Sequence, residues 1–277
     1  MKSKISIILI LCVMTFTHKS ISQTVKDCNP YYNGHLHKCY SAQKIDFSQE
    51  YLKYRINNVV SKNLLDSFTN YLCDSVWLTL NNQQNGVIGK NYQRIQIHIS
   101  YISQSDKNCK IYLIKGQSKV NNNICNFSGE IELLKLFCHE CDYGETLLCG
   151  NLIGKYAFYE DSSQNHSGVF KGIMSCDVFI NNKNHRIRLD ESSEVADGYS
   201  NRDFVGTWTD YKTGVSKKCI WGDYRLPYTF DFDQGDGEMI VNSKYVKYGW
   251  QSYNDGSEFI DTGNDRLELK DKWWQGK

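Results

Sequence analysis

The chain has 277 residues, 40% of them hydrophobic and 13% aromatic, which is enough apolar material to bury a substantial core. Its formal charge is +1 and its lysines and arginines are scattered, which argues against nucleic acid as a partner. The whole chain contains two prolines, so a proline-rich linker or stalk is excluded.

Residues 1–22 are predicted to be a secretory signal peptide. A short basic stretch at residues 1–4 precedes a twelve-residue apolar region at 5–16, and a polar stretch follows. Twelve apolar residues are too few to span a bilayer, which needs about 20, and no later segment approaches that length. Cleavage near Ser22 would leave 255 residues with 29 basic and 31 acidic side chains, exported to the periplasm or secreted.

Residues 23–85 are predicted to form an N-terminal loop followed by one helix. Cys28 and Cys39 lie eleven residues apart in the polar loop, which suits a local disulfide. Over residues 48–72 apolar side chains recur every three or four residues without Gly or Pro, a pattern that predicts an amphipathic helix with Ser48 as its N-cap. Mixed charge on the opposite face favours packing on the protein's own core over partner or membrane binding.

Residues 86–277 are predicted to form one antiparallel β domain. Alternation over residues 94–102 predicts a half-buried strand, with Ile95, Ile97, Ile99 and Tyr101 facing inward. Further strands bounded by turn residues are predicted at 110–115, 119–125, 130–137, 146–149, 155–160, 168–180, 185–189 and 204–211.

This spacing predicts a mainly β fold, a meander that forms a barrel or a sandwich with the N-terminal amphipathic helix packed on it. A short helix is predicted over residues 265–274, where two tryptophans would cover an end of the domain.

Ten cysteines would remain after cleavage, and an even number in an exported chain favours disulfides. Two predicted hairpins, the second turning at Gly116, would pair Cys138 with Cys149 and Cys109 with Cys125. Cys138 also begins a C-x-x-C sequence, for which a redox pair or half of a zinc site is the alternative. Its position near a hairpin tip and the lack of a regular second ligand pair favour plain disulfides.

The segment 231–238 is the strongest candidate in the sequence for a metal site. Asp231, Asp233, Asp236 and Glu238 surround two glycines, so several carboxylate oxygens could wrap a hard cation such as Ca²⁺. The ligand order is not that of an EF-hand loop. An acidic surface turn that binds no ion is the simpler interpretation.

The stretch just before this loop combines aromatic and charged side chains. Trp221, Tyr224 and Arg225 could stack on a sugar ring or bind a carboxylate, although tryptophans are more often buried in a core. No assembled catalytic set accompanies them. The chain is therefore predicted to be an exported, non-enzymatic binding or interaction module for a glycan, a peptide or a small ligand.

A secreted hydrolase is the alternative function. Carboxylates among Asp223, Asp233 and Glu238 could act as an acid and base pair, provided that the fold brings two of them to the right separation. The sequence contains no G-x-S-x-G, H-E-x-x-H, P-loop or Rossmann glycine motif, so no other enzyme class is indicated.

Three segments resemble a group of uncharacterised secreted bacterial proteins. They are GQSKVNNNICNFSG at 116–129, FVGTWTDYK at 204–212 and KCIWGDYRLP at 218–227, and the resemblance covers roughly residues 92–250. It implies export and a β-rich body but no activity.

The same resemblance implies a pairing of Cys125 with Cys219, which competes with the pairing of Cys109 with Cys125. Cys176 is a further disulfide candidate without an assigned partner.

Overall fold

The structure is a computed structural model that describes residues 28–57, 62–73, 75–79, 83–139, 147–194, 196, 198–261 and 267–276. The predicted signal peptide lies outside these ranges and stays a prediction. Among the helices within them, none combines the length and the apolar character needed to cross a bilayer.

The described residues are mainly antiparallel β-structure, as the alternation predicted. The main sheet has nine strands, and a two-stranded sheet lies near the C-terminus. The strands of the main sheet are β1 (Gln84–Ile88), β2 (Gln93–Ser105), β3 (Asn108–Val120), β4 (Asn123–His139), β5 (Leu147–Glu160), β6 (Gly168–Asn181), β7 (Arg186–Leu189), β8 (Ser200–Asp210) and β9 (Ser216–Tyr224). The smaller sheet pairs β10 (Phe259–Asp261) with β11 (Leu267–Leu269).

The main sheet closes into an up-and-down barrel. From β1 to β6 each strand pairs with the next, β6 pairs with β8, β8 with β9, and β9 returns to β1. The short β7 pairs with the last residues of β6, beside the ring of eight, and its Arg186 forms a single parallel bridge with Leu72. Closure satisfies both edges of every strand in the ring, which leaves few open edges for other chains. The predicted boundary between the N-terminal segment and the β domain, after residue 85, falls within β1.

The first core fills the barrel interior with side chains at alternate positions. Ile95, Ile97 and Ile99 of β2 point inward as predicted, but Tyr101 is 47% exposed. The pairing of β2 with β3 shifts by one residue between Ile99 and Tyr101, and such a bulge reverses which face the following side chains occupy. Ile102 packs against the interior instead.

The second core lies on the outer face of the barrel. Outward side chains of six strands are covered by the N-terminal helices α1 (Asn33–Cys39) and α2 (Ser48–Asn57) and by the segment that follows β9, which contains α3 (Ser243–Val246) and α4 (Gln251–Asn254). The residues packed there include Phe47, Tyr51, Val87, Ile153, Ile173, Val205, Ile220, Tyr228, Phe230, Phe232 and Trp250.

The predicted helix over 48–72 is wrong in its length. The helix α2 ends at Asn57, and a 3₁₀ turn at Leu65–Phe68 follows residues that lie outside the described ranges. Leu65 is buried in the barrel core, so the later apolar residues cover a barrel end instead of extending a helix. Ser48 is the first helical residue and not the cap, and its backbone N–H donates to Asp46 Oδ1 at 2.9 Å.

Two further predictions of local structure are wrong. The helix predicted over 265–274 is replaced by β11 and a 3₁₀ turn at Trp273–Gln275. The hairpin predicted at Gly116 is also absent from the described structure, because β3 runs straight through it to a turn at residues 121–122. A Cβ at Gly116 would lie 2.3 Å from the His98 carbonyl oxygen, so this glycine permits close packing between strands.

Candidate ligand-binding site at the open end of the barrel

The meander gathers four hairpin turns at one end of the barrel. Because alternate turns of an antiparallel meander fall at the same end, residues 89–92, 121–122, 161–167 and 211–215 together form a rim. Asn121 has a φ of 53°, the left-handed conformation that Asn tolerates better than most residues in a tight turn. We call this end the mouth.

The opposite end of the barrel is closed by the segment before β1. Trp77 is fully buried there, and its ring lies 5.4 Å from that of Tyr112, centroid to centroid. The guanidinium of Arg202 donates to the Leu78 carbonyl at 3.1 Å and forms an ion pair with Asp223 at 2.6 Å. Among the described residues, the mouth is therefore the end of the barrel at which a cavity opens toward the interior.

A cavity of about 770 Å³ opens at the mouth. This volume lies within the range of small-molecule sites, and eight-stranded barrels are just wide enough for side chains or one small ligand. Its lining from the barrel interior is mainly apolar, while lysines and amides surround the entrance. The interior residues in the lining include Ile88, Ile95, Ser118, Val120, Glu160, Phe170 and Trp208.

Glu160 is the acidic side chain of this lining that the fold buries. It ends β5, where Tyr156 and Phe158 also point inward, and it is 6% exposed. One carboxylate oxygen accepts from the Ser118 hydroxyl; the other accepts from the Gly168 N–H at 2.8 Å and the Trp208 indole N–H at 2.9 Å. Burial raises the pKa of Glu160, while these three donors favour its ionised form.

A second cavity, of about 610 Å³, lies outside the barrel beneath the C-terminal segment. Its lining is largely polar, and Arg94 and Glu258 within it are already bound to each other at 2.6 Å. The residues of this cavity connect the C-terminal segment to β2, and they offer less apolar surface than the cavity at the mouth.

The structure does not support the ligand surface predicted around Trp221. Trp221 is fully buried in the barrel interior, stacked on Phe204 with ring centroids 4.8 Å apart. Its inward position follows from the alternation of β9, in which Cys219 also points inward. Trp221 is thus a core residue with no exposed face for a ligand.

Tyr224 and Arg225 lie beyond this core, at the end of β9. Tyr224 is exposed and donates to Glu194 at 3.1 Å. Arg225 binds the Asp233 carboxylate at 2.7 Å and the Gly235 carbonyl at 2.6 Å. The guanidinium therefore holds the following loop in place and is not presented to a ligand.

The four acids of the predicted calcium loop do not converge on one point. Asp231 binds Lys244 and Tyr245, and Asp233 binds Arg225. Asp233 also accepts hydrogen bonds from the backbone N–H groups of residues 235 and 240. Among the described residues, which include Asp231, Asp233, Asp236 and Glu238, no group of three metal-ligating side chains is found. The predicted site is not assembled, and calcium binding stays an untested prediction.

The carboxylates of the alternative hydrolase are not brought together either. Asp223 is bound by Arg202 at the closed end of the barrel, whereas Asp233 is bound by Arg225 in the loop. Neither of the two cavities described above is lined by these acids or by Glu238. Asp223 and Asp233 are thus each bound by a separate arginine, and the hydrolase stays an untested alternative.

The Cys28–Cys39 disulfide is confirmed. Cys138 carries a free thiol and faces Gly150 across the β4–β5 pair, one residue away from the predicted register, so the pairing of Cys138 with Cys149 is wrong. Cys149 is itself disulfide-bonded. Cys141, the second cysteine of the C-x-x-C sequence, lies outside the described residues.

The remaining predicted pairings are not formed. Cys109 and Cys125 carry free thiols, and Cys125 faces Ser118 because β3 turns later than predicted. Cys219, which the resemblance implied as the partner of Cys125, is a free, buried thiol on β9, and Cys176 is free and buried on β6.

Sequence reasoning missed Ser118, Glu160 and Trp208. The signal was present in the alternation, since Tyr156, Phe158 and Glu160 share one face of β5 and Phe204 and Trp208 share one face of β8. A carboxylate at an inward position of a strand marks a buried charge. Without closure of the sheet, however, the sequence does not show that these faces meet.

No family model, no curated protein and no solved structure matches this chain. The resemblance to uncharacterised secreted bacterial proteins therefore stays a prediction.

Proposed function

We propose that this chain is a non-enzymatic binding protein that holds a small, mainly apolar ligand in the mouth of its barrel. The cavity of about 770 Å³ carries this proposal, because it opens at the mouth of a barrel whose described inward side chains pack into one core. Tyr112, Phe158 and Trp221 fill the interior below it, so a ligand would bind near the rim and not pass through.

The lining explains why the ligand would be mainly apolar. Ile88, Ile95, Val120 and Phe170 contribute aliphatic and aromatic surface, and burying such surface yields about 25 cal/mol per Å². A few polar groups, Ser118 and Glu160 among them, can fix the orientation of a ligand, as is usual in small-molecule sites.

Export remains part of the proposal. The predicted signal peptide suggests it, and the Cys28–Cys39 disulfide supports it, because disulfides persist in oxidising compartments.

The experiment uses the neutral fluorescent probe N-phenyl-1-naphthylamine and two tryptophan substitutions on one strand. Val120→Trp adds bulk to the inward face of β3 at the mouth, whereas Leu113→Trp adds the same bulk to its exposed outer face. We expect Val120→Trp to weaken probe binding by about tenfold or more, equal to about 1.4 kcal/mol, and Leu113→Trp to leave it unchanged. Equal affinities for both variants, or no binding to the unmodified chain, would overturn the proposal.

A further inference from the structure

Glu160 is a buried carboxylate on the wall of the cavity. In the part of the chain that the structure describes it forms no ion pair, and its partners are a hydroxyl, a backbone N–H and an indole N–H. A carboxylate has about four acceptor positions, so these three donors leave one open. Because buried charges are normally paired, a cation at this place would complete the site.

The free acceptor position belongs to the oxygen that Ser118 approaches. Ser118 and Glu160 both line the cavity, so the position is next to the space that a ligand would occupy. The other oxygen is held by Gly168 and Trp208, which fix the carboxylate in place. A preorganised carboxylate on a cavity wall binds a charged donor without first having to be ordered.

Aromatic rings flank this carboxylate. Trp208 and Phe170 line the same cavity, and ring faces attract organic cations. Trp208 already contacts one cation at the rim, since the Lys217 ammonium lies 5.1 Å from its ring centroid. The rings and the carboxylate together form a wall that combines apolar surface with negative charge.

We propose that the ligand of the mouth is an organic monocation, an alkyl or arylalkyl ammonium, whose charged group meets Glu160 and whose apolar part packs on Phe170, Ile88 and Val120. This inference rests on the proposed function and adds the chemical class of the ligand.

The lysines at the entrance would favour an anionic ligand instead. How strongly each one attracts an anion depends on whether its charge is paired or screened. Lys44 is bound to Glu50 at 2.7 Å, and Lys217 stacks on Trp208 beside Asp210. The buried Lys218 points its ammonium into the outer core, where it donates to the Tyr228 carbonyl at 3.2 Å. Lys90 and Lys217 are exposed, so water and salt screen their charge, whereas the charge of Glu160 acts in a drier environment. The buried carboxylate of Glu160 therefore determines that the cavity favours a cationic ligand over an anionic one.

The test displaces N-phenyl-1-naphthylamine with three matched compounds of similar size: 2-phenylethylammonium, 2-phenylethanol and 3-phenylpropanoate. We expect the ammonium to bind about tenfold more tightly than the alcohol, and the carboxylate to bind most weakly. Glu160→Gln keeps the shape of the side chain and should bring the ammonium to within about twofold of the alcohol. Asp210→Asn is the matched control, because Asp210 also lines the cavity but is held by Thr213.

The outcomes separate the two proposals. If the probe binds in a Val120-dependent way but the carboxylate compound binds most tightly, or all three bind equally, the cation inference is overturned and the binding function stands. If the Asp210→Asn variant loses the preference as fully as Glu160→Gln, the assignment to Glu160 is overturned. Should Glu160→Gln fail to fold, the charge series on the unmodified chain alone decides.

Discussion

Asp203 and Lys218 are ionisable side chains trapped between the barrel wall and the segments that cover it. Asp203 accepts hydrogen bonds from the hydroxyls of Tyr31 and Tyr51, and so ties the N-terminal segment to β8. The Lys218 ammonium lies 4.3 Å from the ring centroid of Tyr92 and donates to the Tyr228 carbonyl at 3.2 Å. Burial raises the pKa of Asp203 to about 7 and lowers the pKa of Lys218 to about 7.

For Asp203 we expect stability to fall as the pH rises. The unfolded carboxyl loses its proton near pH 4, whereas the folded one keeps it to about pH 7, so the contribution is full below pH 4 and lost between pH 4 and 7. Asp203→Asn cannot titrate, so its free energy of unfolding should rise relative to that of the unmodified chain across this window, by on the order of 4 kcal/mol. Denaturant titrations at each pH measure the difference; a constant difference contradicts this account.

For Lys218, the pH range over which stability changes lies higher than for Asp203. Its folded pKa is lower than its unfolded one, so its contribution is full above about pH 10 and is lost as the pH falls to about 7. Lys218→Met should therefore gain stability relative to the unmodified chain as the pH decreases through this range, by on the order of 4 kcal/mol. Because the comparison is made at equal pH, cysteine and tyrosine titrations cancel. A gain confined to pH 4–7 would refute the assignment to Lys218.

At the scale of elements, the strands were predictable, whereas the helix that begins at Ser48 was predicted too long. Alternation identified β2 because its period of two depends only on burial of one face, and the bulge at Tyr101 escaped it because a bulge has no pattern of its own. The apolar residues over 48–72 recur at helical intervals, yet they serve two structures: α2 and the cap on the closed barrel end. Tertiary packing, which the local pattern does not contain, separates the two.

Arg94 anchors the C-terminal segment to β2. Its guanidinium binds both oxygens of Glu258, at 2.7 and 2.6 Å, and lies over the ring of Trp250. The two side chains are 5% and 12% exposed. Breaking a buried pair leaves an unpaired charge, so Arg94→Ala should lower the free energy of unfolding by about 3–5 kcal/mol.

The matched control for Arg94 is the exposed pair of Lys155 with Glu132, at 2.8 Å. Lys155→Ala should cost less than about 1 kcal/mol, because water screens an exposed pair. Double-mutant cycles on the two pairs, measured by denaturant unfolding, compare the coupling energies directly. Equal couplings would show that Arg94 is not an anchor.

The acidic loop at 231–238 can be tested with calcium alone. Arg225 and Lys244 already neutralise Asp233 and Asp231, so a cation would have to displace both before the oxygens could gather. We expect millimolar calcium to leave the melting temperature of the chain unchanged. A rise that disappears in Asp233→Asn would establish the calcium site that the sequence suggested.

At the scale of the whole molecule, the ring of eight strands creates the candidate site. Closure brings β3, β5 and β8 around one mouth, where Ser118, Glu160 and Trp208 meet although up to 90 residues separate them in the chain. The meander was predictable from strand spacing, but the pairing of β9 with β1 that closes it was not, because long-range pairing leaves no local signal. The sequence therefore predicted the strands of the barrel but not the mouth that their closure forms.

Methyl NMR of the full chain, titrated with N-phenyl-1-naphthylamine, tests the location of the ligand most directly. Binding in the mouth predicts the largest shifts for the methyl groups of Ile88, Ile95 and Val120, since an aromatic probe shifts the nuclei that it contacts. The methyl groups of Ile153 and Ile220, in the outer core, should remain unchanged. Shifts confined to the outer core, with the mouth unaffected, would contradict the account.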